Sequence, residues 1–142
     1  MEGIPVKKIA LLLALVLLFS FSAMAEGQDA EAFYLQAMEL LCSGDYENAI
    51  APLTQAVEAG HAGAQYNLGL CYHYGDGVEQ NYEEAVKWYT LAAQQGLDEA
   101  QYHLGLCYLR GEGVEQSNEE AVKWFTLAAQ QGHADAAAAL QR

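Results

Sequence analysis

The residues from Gly60 to Gln95 recur from Gly96 to Gln131, with 26 of 36 positions identical and no insertion or deletion between the copies. A period of that length is the mark of stacked helix pairs, each burying its apolar face against the next. Such a stack has no single enclosed centre. It presents an extended surface, and the function class to expect first is binding.

Within one copy, Ala64 to Tyr72 reads as a helix, with Ala64, Leu68 and Tyr72 at i, i+4 and i+8 on one face. Gly75-Asp76-Gly77-Val78 breaks it, the first glycine suiting a left-handed cap and the second letting the chain turn back. A second helix from Tyr82 to Gln95 carries Ala85, Tyr89 and Ala92 on one face, with Trp88 beside them, and Gly96 ends it. The second copy repeats this at Ala100 to Tyr108, Gly111 to Val114 and Asn118 to Gln131. Small residues at Gly69, Gly105, Ala85, Ala121, Ala92 and Ala128 predict a close helix crossing, with Leu68, Tyr72, Trp88 and Tyr89 filling the space around it. A mid-helix glycine costs about 1 kcal/mol relative to alanine, so Gly69 and Gly105 mark places where approach outweighs propensity. The glycine matters enough that Gly69→Leu is expected to disrupt the hairpin.

The pattern Ala64-x-x-x-Leu68-Gly69-x-x-Tyr72-x-x-Gly75-x-Gly77-Val78, followed by Glu84 to Tyr89 and Ala92 to Gly96, closely resembles the Sel-1-like repeat. The resemblance recurs at Leu104-Gly105, Tyr108, Gly111, Gly113-Val114, Ala121, Trp124-Phe125 and Ala128 to Gly132. Upstream, Ala32 to Tyr34, Ala37, Leu40, Gly44 to Tyr46, Ala49-Ile50, Leu53 and Ala56 look like one tetratricopeptide repeat with a shorter loop. Gln36 replaces the apolar residue at Leu68, and Pro52 removes one backbone donor from the second helix of that unit. The resemblance implies an all-α fold, an α/α solenoid of three helix pairs plus a C-terminal capping helix. Its expected divisions are a tetratricopeptide-like unit at 26–59, Sel-1-like units at 60–95 and 96–131, and a capping half-repeat at 132–142.

Residues 1–25 read as a signal peptide. Lys7 and Lys8 precede an apolar run from Ile9 to Phe21, and Ala23-Met24-Ala25 supplies a small-x-small cleavage site before Glu26. The run falls short of the roughly 20 residues of a membrane span. Cleavage would make the protein an exported one, periplasmic or secreted, with no membrane attachment. It would also leave 18 acidic side chains against four basic ones. Lys87, Lys123, Arg110 and Arg142 cannot assemble the basic stripe that phosphate binding needs, which argues against nucleic acid as a partner. Of Cys42, Cys71 and Cys107, an odd count leaves one unpaired, and Cys71 and Cys107 stand on successive packed helices too far apart to bond. A Cys42–Cys71 bond stays open, but small buried thiols inside helices are the preferred reading.

Catalytic groups are hard to find. Ser43 and Ser117 lack the Ser-x-x-Lys of penicillin-recognising enzymes. His61, His73, His103 and His133 form no i, i+4 pair, and Asp76 and Glu112 read as solvated loop charges. No catalytic residue, cofactor or metal site is therefore expected. More telling is a second apolar stripe on the first helix of each pair: Tyr34, Met38, Leu41 and Cys42, then Tyr66, Leu70, His73 and Tyr74, then Tyr102, Leu106, Leu109 and Arg110. A helix apolar on two faces is either sandwiched or presents one face to a partner. The tetratricopeptide resemblance implies that the stripe lines a concave groove for a protein or peptide partner. The alternative is that it packs one hairpin on the next. The leading expectation is a non-enzymatic interaction module of the cell envelope; the alternative is an envelope protein that binds or hydrolyses a cell-wall fragment or a β-lactam-like ligand.

Overall fold

The structure is a computed structural model and describes residues 29–141. The expected signal peptide lies outside the described residues. Among the described residues seven helices follow one another: α1 (29–43), α2 (Tyr46–Glu58), α3 (Ala62–Tyr74), α4 (Tyr82–Gln94), α5 (Asp98–Arg110), α6 (Asn118–Gln130) and the short α7 (Ala134–Ala139). Consecutive helices pack against each other from α2 through α7, giving the all-α stack of hairpins that the duplication implies. No strand occurs among the described residues.

Helix starts and stops are set by local chemistry. The side chains of Asn81 and Ser117 accept the backbone N–H groups of Glu84 and Glu120, at 3.0 and 3.3 Å, and cap α4 and α6. Acidic residues crowd the first turn of both helices, where the helix dipole favours negative charge. At the other end, Gly75 and Gly111 adopt φ of 76° and 70° and cap α3 and α5 by donating to the carbonyls of Cys71 and Cys107. The loops then fold back. Gln80 Nε2 donates to His73 O and Gln116 Nε2 to Leu109 O, both at 2.8 Å. α2 continues through Pro52, which is buried.

Inside each hairpin the helices cross at glycine. A Cβ added at Gly69 would lie 2.7 Å from two ring carbons of Tyr89, and one at Gly105 would meet Phe125 at 2.6 Å. Tyr89 is fully buried and has nowhere to retreat. Around these crossings run three successive apolar clusters, centred on Leu53 and Leu68, on Tyr89 and Leu104, and on Phe125 and Ala136.

Two devices join one hairpin to the next. The second loop glycine, Gly77 or Gly113, presses against the backbone of Tyr46 or Tyr82 at the start of the preceding hairpin's second helix. No side chain would fit there. The second device is a glutamine ladder that the sequence reading missed, whose first rungs tie the two helices within a pair and whose last joins one pair to the next. Gln95 Nε2 donates to Gly60 O at 3.0 Å and to Gln65 Oε1 at 2.8 Å; Gln131 does the same to Gly96 O and Gln101 Oε1 at 2.8 and 2.9 Å. Gln101 in turn donates to Ala93 O, so one buried amide ties the end of α4 to α5.

Two expectations need correction. Cys42 is exposed, unlike the buried Cys71 and Cys107, because it faces away from the stack at the end of α1, and all three cysteines are free. Asp76 and Glu112 are only partly exposed, since the Gly-x-Gly loops lie against the neighbouring hairpin rather than in solvent.

Gly69→Ala is expected to destabilise by about 1–3 kcal/mol in urea denaturation, because overpacking against Tyr89 outweighs the helix propensity gained. Gln95→Ala should cost about 1–3 kcal/mol in the same assay by leaving the buried Gln65 carbonyl oxygen short of its donor.

Candidate functional site

The stripe on α1, α3 and α5 divides into two parts. Its tyrosines turn toward the next hairpin. Tyr34 stacks on His61 with centroids 4.1 Å apart, and Tyr102 stacks on His133 at 4.6 Å. Both histidines also cap the helices they start, accepting the N–H groups of Ala64 and Ala136. Leu97 stands where these histidines stand, so Tyr66 packs instead against Tyr89 and His103, at 6.0 and 5.4 Å. Met38, Leu70 and Leu106 are half-buried between hairpins.

The C-terminal ends of the same helices are open. Tyr74 is 61% exposed and Leu109 39%. Arg110 is exposed as well, its guanidinium 3.8 Å from Glu112 Oε2. His73 differs from its neighbours: its side chain is only 12% exposed, with the rings of Tyr74 and Tyr82 packed edge-on at 4.7 and 5.1 Å.

Two depressions coincide with the stripe. One of about 380 Å³ is walled by Tyr102, Leu106, Leu109 and Arg110 on α5 and by Asp135, Ala138 and Ala139 across from them. The other, about 270 Å³, lies between Leu41 and Tyr46 on one side and Leu70 and Tyr74 on the other. Both are mainly hydrocarbon-walled with charge at the rim, a composition suited to apolar side chains of a partner.

The Sel1 repeat family matches residues 62–97 and 98–133. The chain belongs to this family. Among solved structures, a Sel1 repeat protein from Oxalobacter formigenes is 40% identical with a TM-score of 0.72, covering 75% of this chain and 44% of its own. The uropathogenic Escherichia coli protective antigen c5321, which displays an SLR fold, is 39% identical with a TM-score of 0.62, covering 78% of this chain and 26% of its own. Helicobacter pylori cysteine rich protein B is 27% identical with a TM-score of 0.63, covering 66% of this chain and 70% of its own. The chain thus spans less than half the length of the first two. No curated protein matches it.

The electrostatics of these Sel1 repeats disfavour reactive side chains. Burial pushes the Cys71 thiol up to about 11 and the Cys107 thiol to about 12, which keeps both protonated near neutral pH and poor as nucleophiles. Burial likewise raises the Tyr66 hydroxyl to about 12. His73 and His103 are shifted downward by burial, with nearby Glu112 opposing the shift for His73 and the Glu99 carbonyl, which accepts from His103 Nδ1 at 3.0 Å, opposing it for His103. Ser43 and Ser117 are committed to backbone, donating to Leu40 O and accepting from Glu120 N. No described helix is long and apolar enough to cross a membrane.

A histidine whose folded pKa is depressed contributes stability above its unfolded value, and that contribution is lost as pH falls. The protein should therefore lose stability between about pH 7 and 5 partly through His103. His103→Asn, which installs the residue found at Asn67 in the preceding repeat, should flatten that slope in melting experiments. An unchanged slope would assign the acid sensitivity elsewhere.

Proposed function

We propose that this Sel1 repeat protein is a non-enzymatic interaction module that holds a protein or peptide segment along the stripe of its first helices. Sel1 repeat proteins generally mediate protein–protein interaction. The observation carrying the reading for this chain is that two apolar-walled depressions fall on the stripe, beside exposed Tyr74, Leu109 and Arg110, while the larger depressions at the loops are mainly polar. The proposed contact set is Tyr34, Met38, Tyr66, Leu70, His73, Tyr74, Tyr102, Leu106, Leu109 and Arg110. Its members have different tasks. The half-buried tyrosines shape the floor by fixing the angle between hairpins, and the exposed ends meet the partner. A tyrosine at the rim suits this, since it offers a broad apolar face and a hydroxyl.

The proposed setting is the cell envelope, with residues 1–25 removed as a signal peptide and the 26–59 unit serving as a tetratricopeptide-like first hairpin. The strong acidic excess favours a partner with basic residues flanking its apolar anchors. An enzymatic role is the weaker alternative, because the buried thiols of Cys71 and Cys107 stay protonated near neutral pH and Ser43 and Ser117 are engaged with backbone.

Affinity capture from envelope extract should recover a partner with the wild-type chain and lose it with a Tyr74→Ala, Leu109→Ala double variant. Both residues are exposed, so the variant should melt within about 0.5 kcal/mol of wild type. Recovery of the same partner by a normally folded variant would refute the groove.

A further inference from the structure

At the junction between the two Sel1 repeats, three side chains of different chemistry converge. His73 comes from the last turn of α3, Cys107 from the last turn of α5, and Glu112 from the loop that follows. One donor atom from each lies within 4.8 Å of the other two. His73 Nε2 stands 4.0 Å from Glu112 Oε2. Neither this pair nor Glu112 with Arg110 is close enough for a hydrogen bond. His73 Nδ1 and Glu112 Oε2 are both shielded from solvent with no hydrogen-bond partner. Buried polar atoms in folded proteins are nearly always partnered, so an imidazole and a carboxylate that each leave a shielded atom unpaired, with Nε2 facing Oε2 across 4.0 Å beside a buried thiol, point to a ligand held among the three side chains.

We infer that His73, Cys107 and Glu112 form a site for a divalent cation of zinc character, with water as the fourth ligand. Nitrogen, sulfur and oxygen donors in one set suit zinc and exclude calcium or magnesium, which take oxygen alone. A thiolate and a carboxylate neutralise the ion's two charges, and the thiol proton passes to solvent on binding. Tetrahedral zinc at ordinary bond lengths sets its ligands about 3.3–3.8 Å apart. The existing cluster is slightly wider, and side-chain rotation of His73 and Glu112 closes the difference. Arg110, with its side chain 53% exposed, can swing outward as the ion takes its place beside Glu112.

The chain carries its own control. At the preceding junction, Leu41, Cys71 and Asp76 occupy the places of His73, Cys107 and Glu112, and all three line the 270 Å³ depression. The same fold brings the same positions together there, but leucine offers no donor. Leu109 stands at that position in the following repeat. Of the three matching helix ends, α3 has a histidine where the other two have leucine. A bound ion would clamp the two repeats together immediately behind the rim formed by Tyr74 and Arg110.

The test is titration of the full chain, kept reduced, with Co2+ followed by absorption and with Zn2+ followed by calorimetry and melting. One ion per chain should bind, with a sulfur-to-cobalt charge-transfer band, the intense visible bands of a tetrahedral ion and a Zn2+-dependent rise in melting temperature. His73→Leu and Cys107→Ser should each weaken binding at least about 100-fold, since even loss of a supporting group behind a ligand costs 10- to 100-fold. Cys71→Ser should bind as wild type does. His73→Leu copies a residue the fold already accommodates at Leu41 and Leu109, so it remains informative should Cys107→Ser fold poorly. Cobalt spectra without the sulfur band would show binding to surface carboxylates only and overturn the site. So would undiminished affinity in His73→Leu, or an equal loss in Cys71→Ser.

Discussion

Everything else in this stack depends on the contact between a helical glycine and an aromatic ring. Gly69 receives Tyr89, and Gly105 receives Phe125, at separations that leave no room for a methyl group. That contact sets how near the two helices of a hairpin approach, and with it how the flanking alanines interdigitate. Ala85, Ala92, Ala121 and Ala128 are buried for the same reason. The free-energy cost of glycine in a helix, about 1 kcal/mol, is offset by the dispersion and burial of a whole aromatic ring.

Fixing the hairpin does not fix the stack. Successive hairpins are held by backbone contact at Gly77 and Gly113, by the Gln101 amide on Ala93 O, and by tyrosines that stack on the histidine opening the next pair. These contacts are polar or aromatic and directional. They therefore specify an angle between repeats, where apolar packing alone would leave it loose. The depressions on the stripe exist because that angle separates the C-terminal ends of the first helices while their tyrosines stay packed.

Much of the fold was legible because the sequence is its own alignment. Positions identical in the two copies, such as Leu68 and Leu104 or Ala85 and Ala121, proved to be buried. The capping roles of Gly75 and Gly111 follow from residue type alone. The paired glutamines were also identical in both copies, and that was the available signal for the ladder, but a glutamine reads as a surface residue until its partner on the other helix of the pair is known. The exposure of Cys42 was missed for a related reason. It stands where Tyr74 and Arg110 stand, at the open C-terminal end of a first helix, and all three are exposed.

The sequence by itself determined the helix pairs, their ends, the glycine crossings and membership of a repeat family. These follow from periodicity, capping chemistry and residue volume, all of which act over a few positions. Only the tertiary structure decided which members of the stripe are packed and which are open. It alone also brought His73 beside Cys107 and Glu112, a full repeat away in the chain. Local rules search for metal ligands at helical spacing, but in a solenoid neighbours in space are one period apart in sequence. Which side chains meet across that distance is fixed by the rotation between hairpins, a quantity that no single repeat encodes.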